Sequence, residues 1–199
     1  MIIIYCIAAY LLGAIPTGYI IAKAVKGVDI RACGSGNPGA TNVYRTLGPA
    51  AGITTFVLDV MKGFLPVFFA VKYFSSAPAV FWILAGVCAI AGHIWTVFLN
   101  FRGGKGVATA AGVFFALLPL GTLFALILFL IALFITRYVS AGSIAAAVFL
   151  PVYSLLSRAP VITTLFAALT GIVIIIKHKT NIQRLIGGTE NKFGVKINE

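Results

Sequence analysis

At 199 residues the chain has the length of a single domain, yet 61% of it is hydrophobic, only 10% is charged and the mean hydropathy is +1.08. A water-soluble domain carries about 25% charged residues, so this composition excludes an ordinary soluble enzyme, a disordered chain and a disulfide-stapled secreted scaffold. What remains is a polytopic membrane protein, read as one domain over residues 1–199.

A membrane-crossing helix needs about 20 predominantly apolar residues. In chain order the candidates are 2–22, 48–73, 79–98, 107–118, 121–138, 144–156 and 161–177. The first lacks a basic leader and continues into a polar loop, which reads as a span and not a cleaved signal. The second is the least apolar and carries Asp59 and Lys62 near its middle, as either a functional intramembrane pair or a pair that fixes helix packing. The fourth and sixth are short, with Pro119 and Pro151 at or near their ends. The predicted fold is therefore an all-α integral membrane protein with seven transmembrane helices. The cysteines Cys6, Cys33 and Cys88 are an odd number without metal-ligand spacing, and the first and last lie inside apolar runs.

An odd number of spans puts the termini on opposite sides. One side receives Lys23, Lys26, Arg31, Arg45, Arg102, Lys105, Arg137, Lys177, Lys179, Arg184, Lys192 and Lys196, twelve of the 15 basic residues. The other receives Lys72 and Arg158, and Lys62 lies within a span. The positive-inside rule makes the rich side cytoplasmic, with the N-terminus outside and the C-terminus in the cytoplasm. That asymmetry accounts for the net charge of +11 without nucleic acid as a partner. The longer, glycine-rich connections all fall on this cytoplasmic face, where chemistry is expected.

Three polar segments stand out there. The first, residues 34–45, reads GSGNPGATNVYR. Gly34, Gly36 and Gly39 let backbone N–H groups turn toward one point, with Ala40 at the start of a short helix. Ser35, Asn37, Thr41 and Asn42 add neutral donors, and Arg45 adds a bidentate phosphate ligand. A helix opening after Pro38 favours an anion at its N-terminus. The plain alternative is a tight turn between helices, and no GK[ST] follows to make a P-loop. The second, residues 92–106, reads GHIWTVFLNFRGGKG and sets Lys105 between glycines before the fourth span. Arg102 and Lys105 also suit simple anchoring at the membrane surface. The third, residues 177–194, follows the last span. His178 and Asn181 share a helix face at i, i+3, and Gly187-Gly188 stops the helix ahead of Glu190. A basic amphipathic tail on anionic lipid is its plain alternative. A fourth element, Ser140–Ser143, offers Ser143 as a donor or as a helix cap.

This collection suits a substrate bearing one or two phosphates at a membrane surface. The sequence contains no HExxH, no His/Cys cluster and no GxSxG nucleophile, so neither a metal nor a cofactor is expected. Five residues after His93 stands Phe98, and five after His178 stands Gln183, so the His-x4-Asp pattern of many acyl-CoA-dependent acyltransferases is missing as well.

The three stretches GSGNPGATN, NFRGGKGVAT and HKTNIQRLIGGTE, in this order and over this length, resemble the signature segments of the bacterial acyl-phosphate:glycerol-3-phosphate acyltransferases, the PlsY family. The resemblance implies transfer of an acyl group from acyl phosphate to the 1-position of glycerol 3-phosphate. The products are lysophosphatidate and phosphate, and the reaction is the first step of phospholipid synthesis. It further implies a multi-pass protein of the bacterial cytoplasmic (inner) membrane with its active site on the cytoplasmic face. Membrane lipid is then a partner, and a soluble acyl-phosphate-forming enzyme stands upstream. On this reading Gly34, Ser35, Gly36, Asn37, Ala40, Thr41 and Asn42 hold the acyl phosphate. Arg45, Lys105, His178 and Asn181 bind glycerol 3-phosphate, and Lys105 or Ser143 stabilises the oxyanion. His178, Glu190 or the acyl phosphate's own oxygen takes the proton. No covalent intermediate is needed, because a mixed anhydride already carries a good leaving group. A transporter of an anionic solute, built around Asp59 and Lys62, is the competing reading.

Overall fold

The computed structural model describes residues 1–194; Lys196, one of the basic residues assigned above to the cytoplasmic side, lies outside them. The described residues form ten α-helices and two short 3-10 turns, with no strand among them. The helices are α1 (Ile2–Ala14), α2 (Thr17–Lys26), α3 (Ala40–Leu47), α4 (Pro49–Tyr73), α5 (Ala79–Ile94), α6 (Val107–Leu117), α7 (Pro119–Thr136), α8 (Val139–Leu156), α9 (Val161–Lys177) and α10 (Lys179–Ile186). They fall into two compact units, residues 1–116 and 117–194.

Five segments are long and apolar enough to cross a membrane: Ile2–Lys26, Pro49–Tyr73, Ala79–Leu99, Pro119–Thr136 and Val139–Leu156. The pair α9 and α10 meets the test only together, bent by 60° at His178, which makes six if the bent pair is one span. The sequence reading of seven separates out 107–118, but α6 has 11 residues. At 1.5 Å per residue it reaches about 16 Å, against a hydrocarbon core of about 30 Å. Apolar side chains cover the outside: Phe134 is 87% exposed and Leu156 77%. Such a surface calls for lipid and not water.

In the first unit, α1 and α5 pack backbone against backbone. A Cβ on Gly13 would overlap the Ala89 carbonyl, and one on Gly92 would overlap that of Tyr10. Small residues permit this approach where helices gain nothing from excluding water. The first span breaks at Pro16, whose ring nitrogen carries no N–H. The carbonyls freed there are taken by side chains: the Thr96 hydroxyl donates to Ala14 O at 2.6 Å and the Lys62 ammonium to Ile15 O at 2.8 Å. Ile15 O also accepts from Thr17 N at 3.0 Å; a carbonyl left without any donor in apolar surroundings costs several kcal/mol.

In the second unit, Gly142 of α8 lies against Phe129 of α7, and Gly171 of α9 against the Ala147 carbonyl of α8. Because α8 begins at Val139 and not at 144, Ser140 and Ser143 sit inside its first turns and not in a connection. The missing side chain of Gly142 between them is what lets α8 approach α7.

Candidate active site

The first polar loop is built around Asn42. Its Oδ1 accepts from Ser35 N at 2.8 Å, and its Nδ2 donates to Cys33 O at 2.9 Å and to Ile30 O at 3.2 Å. With 2% exposure its amide is spent inside the loop, so the structure uses Asn42 as a brace and not as a donor facing outward. Gly34 and Gly36 have φ of 54° and 70°, the left-handed region where glycine carries no penalty. Asn37 Oδ1 accepts from Gly39 N at 2.9 Å and so aims the chain into α3. The exposed Ser35, the half-buried Thr41 and Asn37, and Arg45 in the last turn of α3 surround this loop. Ahead of it, Asp29 pairs with Arg31 at 2.7 Å, and the Arg31 hydrogen bond draws the Asp29 carboxyl down to about 2.

The second loop returns onto the end of α5. Gly103 N donates to Ile94 O and Gly104 N to His93 O, both at 3.1 Å. Beneath it lies a buried charged cluster. Asp59 Oδ1 accepts from the Thr17 hydroxyl at 2.5 Å and from the Lys62 ammonium at 2.8 Å, and His93 Nδ1 stands 3.7 Å from the same oxygen. A small half-open cavity joins these groups. Pro38 of the first loop, Gly103 and Gly104 of the second, and Thr17, Asp59, Lys62 and His93 all line it. It has room for roughly one ordered water. The first unit therefore gathers two of the three polar segments around one cavity, with half-buried Lys105 next along the chain.

The second unit holds the third segment. Glu190 is 7% exposed. Its Oε1 accepts from the Ser140 hydroxyl at 2.8 Å and from Asn181 Nδ2 at 2.6 Å, and its Oε2 accepts from Arg184 Nε at 2.7 Å. Burial pushes the Glu190 carboxyl up, but hydrogen bonds from Arg184, Asn181 and Ser140 outweigh it and leave it below its ordinary value. A carboxylate so saturated with donors is a weak base and a strong brace. Past it, Phe193 N donates to Arg137 O at 2.6 Å, so the segment is tied down twice. His178 is 3% exposed at the bend between α9 and α10. Its Nδ1 lies 2.8 Å from Ile174 O. A carbonyl only accepts, so Nδ1 carries a proton and donates it to Ile174 O. Ser143 donates to Val139 O at 2.9 Å within its own helix.

These segments and their order carry a family signature. A sequence-family model described as glycerol-3-phosphate acyltransferase matches residues 3–188. The chain belongs to the glycerol-3-phosphate acyltransferase family. It is 47% identical to the glycerol-3-phosphate acyltransferase of Endomicrobium trichonymphae, with 97% of this chain and 96% of the relative covered. It is 49% identical to that of Geobacter sulfurreducens, with 93% and 94% covered. Among solved structures it resembles PlsY, an integral membrane glycerol 3-phosphate acyltransferase. The glycerol 3-phosphate form of PlsY superposes with a TM-score of 0.92 at 44% identity, over 97% of this chain and 96% of that one. The lysophosphatidic acid form gives 0.89 at 43%, over 97% and 95%. The acyltransferase match spans both compact units.

Sequence reasoning about this acyltransferase-family chain missed three groups that the structure brings in: Thr17, Ser140 and Arg184. Arg184 stands six residues before Glu190, close enough for a charge-pair search to find it. Thr17 and Ser140 meet their carboxylates across 42 and 50 residues, and nothing local marks them.

Proposed function

We propose that this protein transfers an acyl group from an acyl phosphate to the 1-hydroxyl of glycerol 3-phosphate, yielding lysophosphatidate and phosphate at the cytoplasmic face of a bacterial inner membrane. One observation carries the choice of donor. Every acidic side chain among the described residues is engaged with a cation: Asp29 with Arg31, Asp59 with Lys62 and Glu190 with Arg184. Among the described residues no carboxylate is thus left without a cation partner to act as general base. An acyl phosphate brings its own. The glycerol 3-phosphate hydroxyl oxygen attacks the acyl carbonyl carbon, the carbon–oxygen bond to phosphate breaks, and the departing phosphate takes the hydroxyl proton. Positioning and electrostatic stabilisation then supply the rate.

On this reading Gly34, Ser35, Gly36 and Asn37 hold the acyl phosphate together with Ala40 and Thr41 at the start of α3, in a loop kept in shape by Asn42. Arg45, Lys105, His178 and Asn181 bind glycerol 3-phosphate, and Lys105 or Ser143 stabilises the oxyanion. Glu190 moves from candidate base to positioning residue, since it holds Asn181 and Arg184. The seven-span count, the N-terminus outside, the single functional domain and a soluble acyl-phosphate-forming enzyme upstream belong to the same proposal.

The test uses purified protein in lipid with palmitoyl phosphate and glycerol 3-phosphate. Equal amounts of lysophosphatidate and phosphate, without acyl-CoA or added metal, are expected. Activity only with acyl-CoA would overturn the donor. No product, but uptake of labelled anion into sealed vesicles, would favour the transporter. Lys105→Ala and Arg45→Ala should each lower turnover by about 10²–10³-fold while the protein stays folded.

A further inference from the structure

We propose that Asp59 and His93 are positioning residues for Lys105, acting through the Gly103–Gly104 turn. The inference rests on the assignment of Lys105 to substrate. The carboxylate of Asp59 is anchored by Thr17 of α2 and Lys62 of α4, and it faces the imidazole of His93 at the end of α5. Lys62 carries the anchorage on to Ile15 O at the break in the first span. That imidazole is the floor of the turn: a Cβ on Gly104 would land on His93 Nε2, and one on Gly103 on the His93 carbonyl. The turn is pressed onto His93 with no side chain between, and two backbone hydrogen bonds hold it to His93 and Ile94. Lys105 is the next residue.

A pair that served packing alone would not need this arrangement. Buried ion pairs add little stability over apolar residues of similar volume, whereas fixing one conformation is a better-attested use. The side chains of the path are buried, Asp59 at 2%, Lys62 at 5% and His93 at 8%, so their geometry is locked by surrounding helices. A substrate-binding ammonium displaced by about 1 Å loses on the order of 10²-fold in rate, the scale on which such a support acts.

The experiment is a double-mutant cycle. His93→Phe keeps a ring beneath Gly104 but loses the nitrogen that faces Asp59. It should lower turnover about 10–100-fold in the wild-type background and less than about 2-fold in a Lys105→Met background, where no ammonium remains to be placed. Glycerol 3-phosphate affinity by calorimetry gives the same cycle if Lys105→Met turns over too slowly to follow. Gly104→Ala leaves every charge in place and should show the same dependence on Lys105, which covers the case of His93→Phe failing to fold. Equal penalties in both backgrounds would reduce the cluster to a structural pair and overturn the inference, as would wild-type turnover in folded His93→Phe. A wild-type protein inert toward acyl phosphate would instead overturn the donor assignment, and the affinity cycle would still decide the coupling.

Discussion

The two units each solve the same problem, a buried carboxylate, with the same kinds of partner and to different ends. Asp59 takes a hydroxyl from Thr17, a cation from Lys62 and an imidazole neighbour in His93. Glu190 takes a hydroxyl from Ser140, a cation from Arg184 and an amide from Asn181. Asp59 stands in the middle of a 25-residue helix, and its cation is 5% exposed. Glu190 stands in the segment after α10, and its cation is 36% exposed. The first cluster is sealed by helices and knits a broken span; the second is a latch that water reaches from one side. The same chemistry makes a permanent joint in one place and a titratable clasp in the other.

The contrast can be broken most forcefully at Asp59. Asp59→Leu strands Lys62 as a buried, uncompensated charge, so about 3–5 kcal/mol of stability should be lost, with most of it restored by adding Lys62→Met. Thermal unfolding in detergent reads both effects. If the double variant stays as unstable as the single one, the charges are not what the first cluster balances.

Glu190→Gln should cost activity more than stability. Turnover is expected to fall about 10–100-fold through the loosened Asn181, a scale typical of partners that orient a substrate ligand. The melting temperature should shift by only a few degrees, since the lost Arg184 pair is partly solvated. A large thermal loss with full activity would make the two clusters alike.

Acid should tell them apart as well. The folded-state value of Glu190 is depressed, so its contribution is complete above the unfolded value of about 4.3 and disappears as pH falls through the folded one. The protection factors of residues 189–194, with the intrinsic pH dependence of exchange divided out, should therefore fall on acidification below that range and stay constant between pH 6 and pH 8, while Glu190→Gln should show low protection at every pH. The smallest effects belong to the hydroxyls: Thr17→Val and Ser140→Ala should each cost about 1.5 kcal/mol, the lower end for a hydrogen bond to a charged group.

Much of this molecule was legible along the chain. Long apolar runs marked α4, α5, α7 and α9, because hydropathy is a local sum over residues that all face lipid or one another. The glycines at 34 and 36 marked a turn that does adopt positive φ. Pro38-Gly39 marked the start of α3 within two residues. Boundaries were less legible where small residues carried them: Ser140 and Ser143 look like a connection in sequence but lie in the first turns of α8. The span count of seven met the same difficulty at α6, because 11 apolar residues read alike whether they cross lipid or pack among neighbours.

The sequence by itself determined the membrane class, the succession of helices and the three segments in which phosphate-suited side chains gather, since each depends on neighbours within a turn or two of the chain. Only the tertiary structure decided what those side chains do. It anchored Asp59 to Thr17 and Glu190 to Ser140, because a hydrogen bond between residues 42 or 50 positions apart exists only once helices have packed, and it turned Asn42 inward and set Gly104 upon His93 through loop folds that no helical or strand period marks. A carboxylate reads the same in sequence whether it is free to accept a proton or already holds three donors, and that difference separates a base from a brace.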